Sequence, residues 1–130
     1  MDEITVHVET EITPTEDEGK VKTAVANLFG AIATETESSH VRSMLTAEAR
    51  GREAMISFRN VLRRDRVRDA ARRIFYAGSR EKSIIFFLNK QVAFAGHVSF
   101  SQETGESPLG PIKVVIECEN PRELVVWLTT

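Results

Sequence analysis

The sequence predicts an α+β fold: a single, mostly antiparallel sheet with helices packed on one face. Three observations predict it. Apolar residues alternate with period two near the amino terminus, further apolar strand-forming runs gather between residues 83 and 119, and the segments with helical spacing gather elsewhere. Strands collected in a run, with helices grouped apart, favour such a layer over an alternating parallel fold. The expected order is β-α-β-α-α-β-β-β-α, in one domain spanning residues 1–130.

In "EITVHVETEI", Ile4, Val6 and Val8 alternate with Thr5, His7 and Glu9, as a strand with one buried face requires. "TPTEDEG" then offers Thr13 or Thr15 as an N-cap and supplies acids for a first helical turn, where they complement the helix dipole. Val21, Ala24, Val25, Leu28 and Phe29 fall at spacings of three and four and Gly30 follows, which predicts an amphipathic helix with a stop. Between Thr34 and Arg50 the pattern is weak, and "HVRSMLTAEA" is read as a strand. Ala54, Phe58, Val61 and Leu62 make one helical face, and Val67, Ala71, Ile74 and Phe75 make another. The charged "RRDR" between them breaks the phase, so two helices joined by a tight corner are expected.

Three strands follow, about Ser83 to Leu88, Ala93 to Ser101 and Ile112 to Glu119, with the last two joined by "ETGESPLGP", whose prolines and glycine imply a rigid loop. Asn120 as N-cap, Pro121 at the first helical position and Glu123 three residues after the cap start a final short helix through Val126, Trp127 and Leu128.

A chain of 130 residues that is 42% hydrophobic and 28% charged has apolar material for one core. Net charge is -2 and the sequence pI about 5.9, so the whole molecule lacks the basic balance of a dedicated nucleic-acid binder. That average hides an asymmetry. Met1 to Gly19 holds seven acids and no Lys or Arg, a formal -7, whereas Arg59 to Lys82 holds nine bases against three acids, 9 - 3 = +6. A lone cysteine, Cys118, cannot form an internal disulfide, and its alternation with Ile116 and Val114 predicts an inert buried thiol. The acidic start does not resemble a signal peptide and no apolar run reaches the roughly 20 residues that cross a bilayer. A cytoplasmic protein without membrane attachment is expected.

Residue patterns that name a reaction are missing. His7, His40 and His97 have no metal-ligand spacing and read as solvent-side or loop residues, and no phosphate-loop, dinucleotide or nucleophile-elbow motif occurs. Glu9 with Glu11, and Glu117 with Glu119, share the wet face of their strands and need no catalytic role. No catalytic residue, metal or cofactor is assigned.

The basic segment is more informative. On ideal helices Arg66, Arg68, Arg72 and Arg73 point away from the Val67, Ala71, Ile74 face, and Arg59 and Arg63 do the same on the helix before. A solvated face, with Asp69 pairing Arg66 or Arg73 and Arg64 pairing Glu81 or another acid, would explain them. Eight of the nine bases are arginine, however, whose planar fork recognises phosphate bidentately, so phosphate-backbone binding stands beside the solvated face as an equal alternative.

"LNKQVAFAGHVSF", with "RVRDAARRIF" before it, "ESPLGPIKVVIE" after it and "PTEDEGKVKTAVANLF" near the amino terminus, resembles an archaeal protein family taken to bind RNA. That family is classed in fold with the large-subunit ribosomal protein that binds five-S RNA. The resemblance spans nearly the whole chain. It implies an α+β sandwich of that ribosomal type, an RNA partner and no catalytic residues.

Under such a fold Asn89, Lys90 and Gln91 lie where one strand ends and the next begins. They would either cap backbone groups at the strand end or read an RNA edge or backbone. The expected function is therefore non-enzymatic RNA binding through Arg59, Arg63, Arg64, Arg66, Arg68, Arg72, Arg73, Arg80 and Lys82, with Asn89, Lys90 and Gln91 beside them. The competing expectation is a homodimeric or scaffold module of a larger complex, in which the +6 segment meets acidic protein, the -7 segment of a second copy included.

Overall fold

The period-two pattern at the amino terminus is realised as β1 (Thr5–Ile12), which buries Val6, Val8, Thr10 and Ile12 and turns Thr5, His7, Glu9 and Glu11 outward. The computed structural model describes residues 3–39, 42–103 and 109–130. After β1 come α1 (Glu18–Phe29), β2 (Thr34–Ser38), β3 (Ser43–Arg50), α2 (Glu53–Arg64) and α3 (Arg68–Ala77). The chain continues through β4 (Ser83–Asn89), α4 (Lys90–Phe94), β5 (Phe100–Ser101), β6 (Pro111–Glu117) and α5 (Pro121–Leu128). The anticipated order is present, with β2 and α4 as additional short elements.

The six strands form one open sheet in the order β2-β3-β1-β6-β4-β5, and every pairing is antiparallel. Register puts Val8, Val114 and Phe86 in one row and Val6, Ile116 and Ile84 in the next, all buried. Because strand side chains alternate, one face is largely apolar and the helices cover it. Phe58 of α2 stacks on Phe29 of α1 at 5.1 Å and on Phe86 of β4 at 5.6 Å, and Phe75 of α3 meets Phe86 at 4.8 Å. These rings tie three helices to the centre of the sheet.

Several local expectations shift. Asp17, not Thr13 or Thr15, caps α1: the helix begins at Glu18, so Asp17 holds the N-cap position and its Oδ1 accepts from the Gly19 N–H at 2.7 Å. The strand anticipated at Ala93 to Ser101 shrinks to Phe100–Ser101. Asn89 caps a helical turn, its Oδ1 accepting from the Val92 N–H at 2.9 Å, so the chain coils before it pairs again. "TETES" of β2 carries no apolar signal, yet pairs along β3 as a polar edge strand. The strand read at residues 40–49 is Ser43–Arg50; residues 40 and 41, including His40, lie outside the described residues, as do residues 104–108 of the proline-containing loop. The Asn120 cap is as expected, accepting from the Glu123 N–H at 3.2 Å. Cys118 is buried, and burial pushes its thiol pKa up, which suits an inert packing residue.

Candidate nucleic-acid interface

The basic surface is built by two helices with narrow apolar faces. α2 buries Ala54, Met55, Phe58, Val61 and Leu62, and α3 buries Ala71 and Phe75 with Ile74 half-buried beside them, so much of the remaining circumference of each is left to polar residues. Between them Asp65, Arg66 and Val67 turn the corner, and Arg66 adopts a left-handed backbone with φ of 57°. That conformation costs a non-glycine residue on the order of 1 kcal/mol and usually falls to Gly, Asn or Asp.

The anticipated residues fall into three groups. Arg63, Arg66, Arg68 and Arg73 are exposed, and their side chains make no ion pair or hydrogen bond among the described residues. Asp69 pairs with neither Arg66 nor Arg73 there, and Arg64 pairs with Asp65 rather than Glu81. Gln91 is also exposed, on the rim of a cavity of about 300 Å³ beside Lys20 and Phe94.

A second group is exposed but engaged. Arg64 Nε donates to Asp65 Oδ1 at 3.2 Å and its Nη2 to the Gly96 carbonyl. Arg80 donates to the Ser79 carbonyl at 3.0 Å, and Lys82 lies 3.5 Å from Glu119.

The third group belongs to the scaffold. Arg59 Nε donates to the Trp127 carbonyl at 2.8 Å while its guanidinium lies over the Trp127 ring, 5.0 Å from the centroid. Arg72 donates to Thr129 through Nε at 3.1 Å and through Nη2 at 2.9 Å, which fastens α3 to the end of α5. Asn89 is the cap of α4. Lys90 is 3% exposed, and its ammonium donates to the Glu11 carbonyl at 2.6 Å, the Leu109 carbonyl at 2.7 Å and Glu16 Oε1 at 3.0 Å. All three of its donors are spent inside the fold, so it offers no charge to a ligand.

One cluster had no signal in the sequence. Asp65 Oδ1 accepts from the His97 ring at 3.0 Å and Oδ2 from the Val98 N–H at 2.8 Å, which latches the α2–α3 corner to the loop after α4. Burial raises the Asp65 pKa, but hydrogen bonds from His97, Val98 and Arg64 outweigh it and hold the carboxyl below its ordinary value. The partners are 32 and 33 residues apart in the chain, so no local pattern announces them.

The opposite side of the molecule has the reverse sign. Glu9, Glu11, Glu48 and Glu117 stand on the uncovered sheet face with Glu35 and Glu37 of the edge strand, against His7, Arg50 and Lys113. Among the described residues no group of His, Cys, Asp and Glu is arranged to hold a metal ion, and no helix is long and apolar enough to cross a membrane.

Comparison with known proteins agrees in sequence and in fold. A family model described as RNA binding matches residues 5–118. A UPF0201 protein of Saccharolobus islandicus is 39% identical over 125 residues, covering 96% of this chain and 86% of the relative. One from Sulfurisphaera tokodaii is 42% identical over 122 residues, covering 94% and 84%. The crystal structure of a UPF0201 protein from Methanococcus jannaschii superposes with a TM-score of 0.86 at 27% identity, covering 97% of this chain and 99% of that one. With that match along its length and relatives this similar, the chain belongs to the archaeal UPF0201 family, whose model carries the description RNA binding.

Proposed function

We propose that this protein binds RNA without catalysing a reaction, and that Arg63, Arg66, Arg68 and Arg73 take the phosphate backbone. The observation that carries the reading is Arg66: an exposed arginine without a partner among the described residues, held in a left-handed conformation that another residue type would occupy at lower cost. Strain maintained at the apex of an arginine cluster suits a residue kept for what it contacts. Arg64 stands at the edge of this surface, and the family description supports the partner class.

The competing reading, a dimer or scaffold module driven by the acidic amino-terminal segment, loses part of its support to local chemistry. Glu16 is engaged by Lys90, Asp17 caps α1 and Glu18 lies 3.3 Å from Lys22, so these acids are committed at home. Chromatographic sizing at low and high salt separates the readings: a salt-sensitive dimer that ignores RNA would favour the rival.

The direct test is Arg66→Glu with Arg68→Glu, titrated with single-stranded RNA over a range of salt. Four phosphate contacts on a single strand give a slope of log affinity against log salt near -2.8, about -0.7 per contact. The double variant should keep its circular dichroism spectrum, bind at least tenfold more weakly and show a flatter slope. Unchanged binding by the folded variant would move the site elsewhere.

A further inference from the structure

Phosphate recognition by arginine does not distinguish RNA from DNA, because the two backbones carry the same phosphate and guanidinium groups only donate. The group that differs is the ribose 2′-hydroxyl, which both donates and accepts. A surface that senses it as a donor needs an exposed acceptor beside its arginines.

The α2–α3 corner holds one. Asp65 is ionised at neutral pH, since its carboxyl sits below the ordinary range, and an ionised carboxylate only accepts. His97 Nδ1, 3.0 Å from Asp65 Oδ1, must therefore carry the ring proton. In the neutral ring that leaves Nε2 as a bare acceptor, on a side chain that is 61% exposed. Asp65 is the poorer candidate: its side chain is only 10% exposed and its oxygens already receive His97, the Val98 N–H and Arg64. Arg64 shares Oδ1 with His97, so cation and acceptor sit side by side. Its Nε and Nη2 are engaged by Asp65 and Gly96, which leaves Nη1 to meet a phosphate.

The geometry points to His97 Nε2 as the acceptor for a ribose 2′-hydroxyl, and hence to His97 as the residue by which this surface prefers RNA over DNA. The inference rests on reading the arginine corner as the RNA surface. A chain held through a phosphate at Arg64 carries the adjoining ribose past an imidazole bonded to the same carboxylate oxygen. Asp65 acts as a positioning residue, fixing tautomer and ring orientation.

The experiment compares oligouridylate with oligodeoxyuridylate of equal length, which differ only in the 2′-hydroxyl, on the full chain and on His97→Ala at pH 7.5. The unaltered protein should bind the RNA roughly fivefold more tightly, the size of one neutral hydrogen bond. His97→Ala should lose that preference by weakening toward RNA while its DNA affinity holds. In nitrogen NMR the His97 Nε2 resonance should move on adding the RNA oligomer and stay in place with the DNA one. Equal binding of both oligomers by the unaltered protein would overturn the inference and leave the arginine reading standing. So would a His97→Ala variant that keeps the preference, or one that weakens equally toward both and so marks a plain phosphate contact. Binding of neither oligomer would remove the arginine reading and this inference with it.

Discussion

Lys90 joins the end of β1, the Glu16 turn and residue 109 through one ammonium group. Its three acceptors arrive from three segments, so removing the charge takes the ammonium from two carbonyls and leaves Glu16, whose side chain is only 10% exposed, with the Thr13 N–H but no cation. Lys90→Met should therefore destabilise the protein by about 3 kcal/mol, the usual cost of breaking a buried pair from one side. Adding Glu16→Gln should cost less than the sum of the two single changes, because the pair is already broken. Urea unfolding of the three variants measures both. Thr36 is the opposite case: its Oγ1 is buried without a hydrogen-bond partner among the described residues. Thr36→Val removes that unsatisfied group at nearly constant shape and should stabilise by about 1 kcal/mol in the same assay.

Between α2 and α3 the chain makes a strained turn that Asp65 fastens from below. Arg66→Gly relieves the left-handed strain but adds freedom to the unfolded chain, so stability should hold or rise by up to about 1 kcal/mol. RNA binding should fall at the same time, a divergence that separates a functional arginine from a structural one; calorimetry beside a binding titration reads it. Asp65 predicts a pH effect whose sign follows from its depressed pKa. The folded state binds the proton less tightly than the unfolded one, so this stabilisation is present above the unfolded value of about 3.9. It is lost as pH falls through the lower folded value. Asp65→Asn should lower stability at neutral pH and flatten its decline below about pH 4, as measured by denaturation at stepped pH.

Across the molecule, charge is sorted by face: glutamates line the open sheet, and arginines without a partner among the described residues crown the helical corner. A net charge of -2 is thus compatible with a local anion-binding surface, because fields beyond a Debye length of about 8 Å are largely screened at physiological salt. Neutralising the sheet with Glu9→Gln and Glu48→Gln should change RNA affinity by less than about twofold at physiological salt. It should strengthen binding measurably only at low salt, where screening weakens, and fluorescence anisotropy at two ionic strengths would show it. A several-fold change in either direction at physiological salt would place the RNA on the sheet instead.

The sequence by itself determined the layer and its sides. Period-two alternation chose the buried strand face, helical spacing chose the buried faces of α1, α2 and α3, and the Asn120, Pro121, Glu123 pattern started α5; each acts through neighbours a few residues away. Where local signals were short or polar, as in β2 and α4, the pairing partner or the cap decided the outcome. The arginine surface was legible only as a set. Which arginines remain free was settled by partners far along the chain: Trp127 for Arg59 and Thr129 for Arg72, 68 and 57 residues away. Lys90, in the same polar triplet as Asn89 and Gln91, was claimed by oxygens as distant as 79 residues. Helical periodicity tells which way a side chain leaves its own element, but a charge is spent or left free by whatever the topology brings against it.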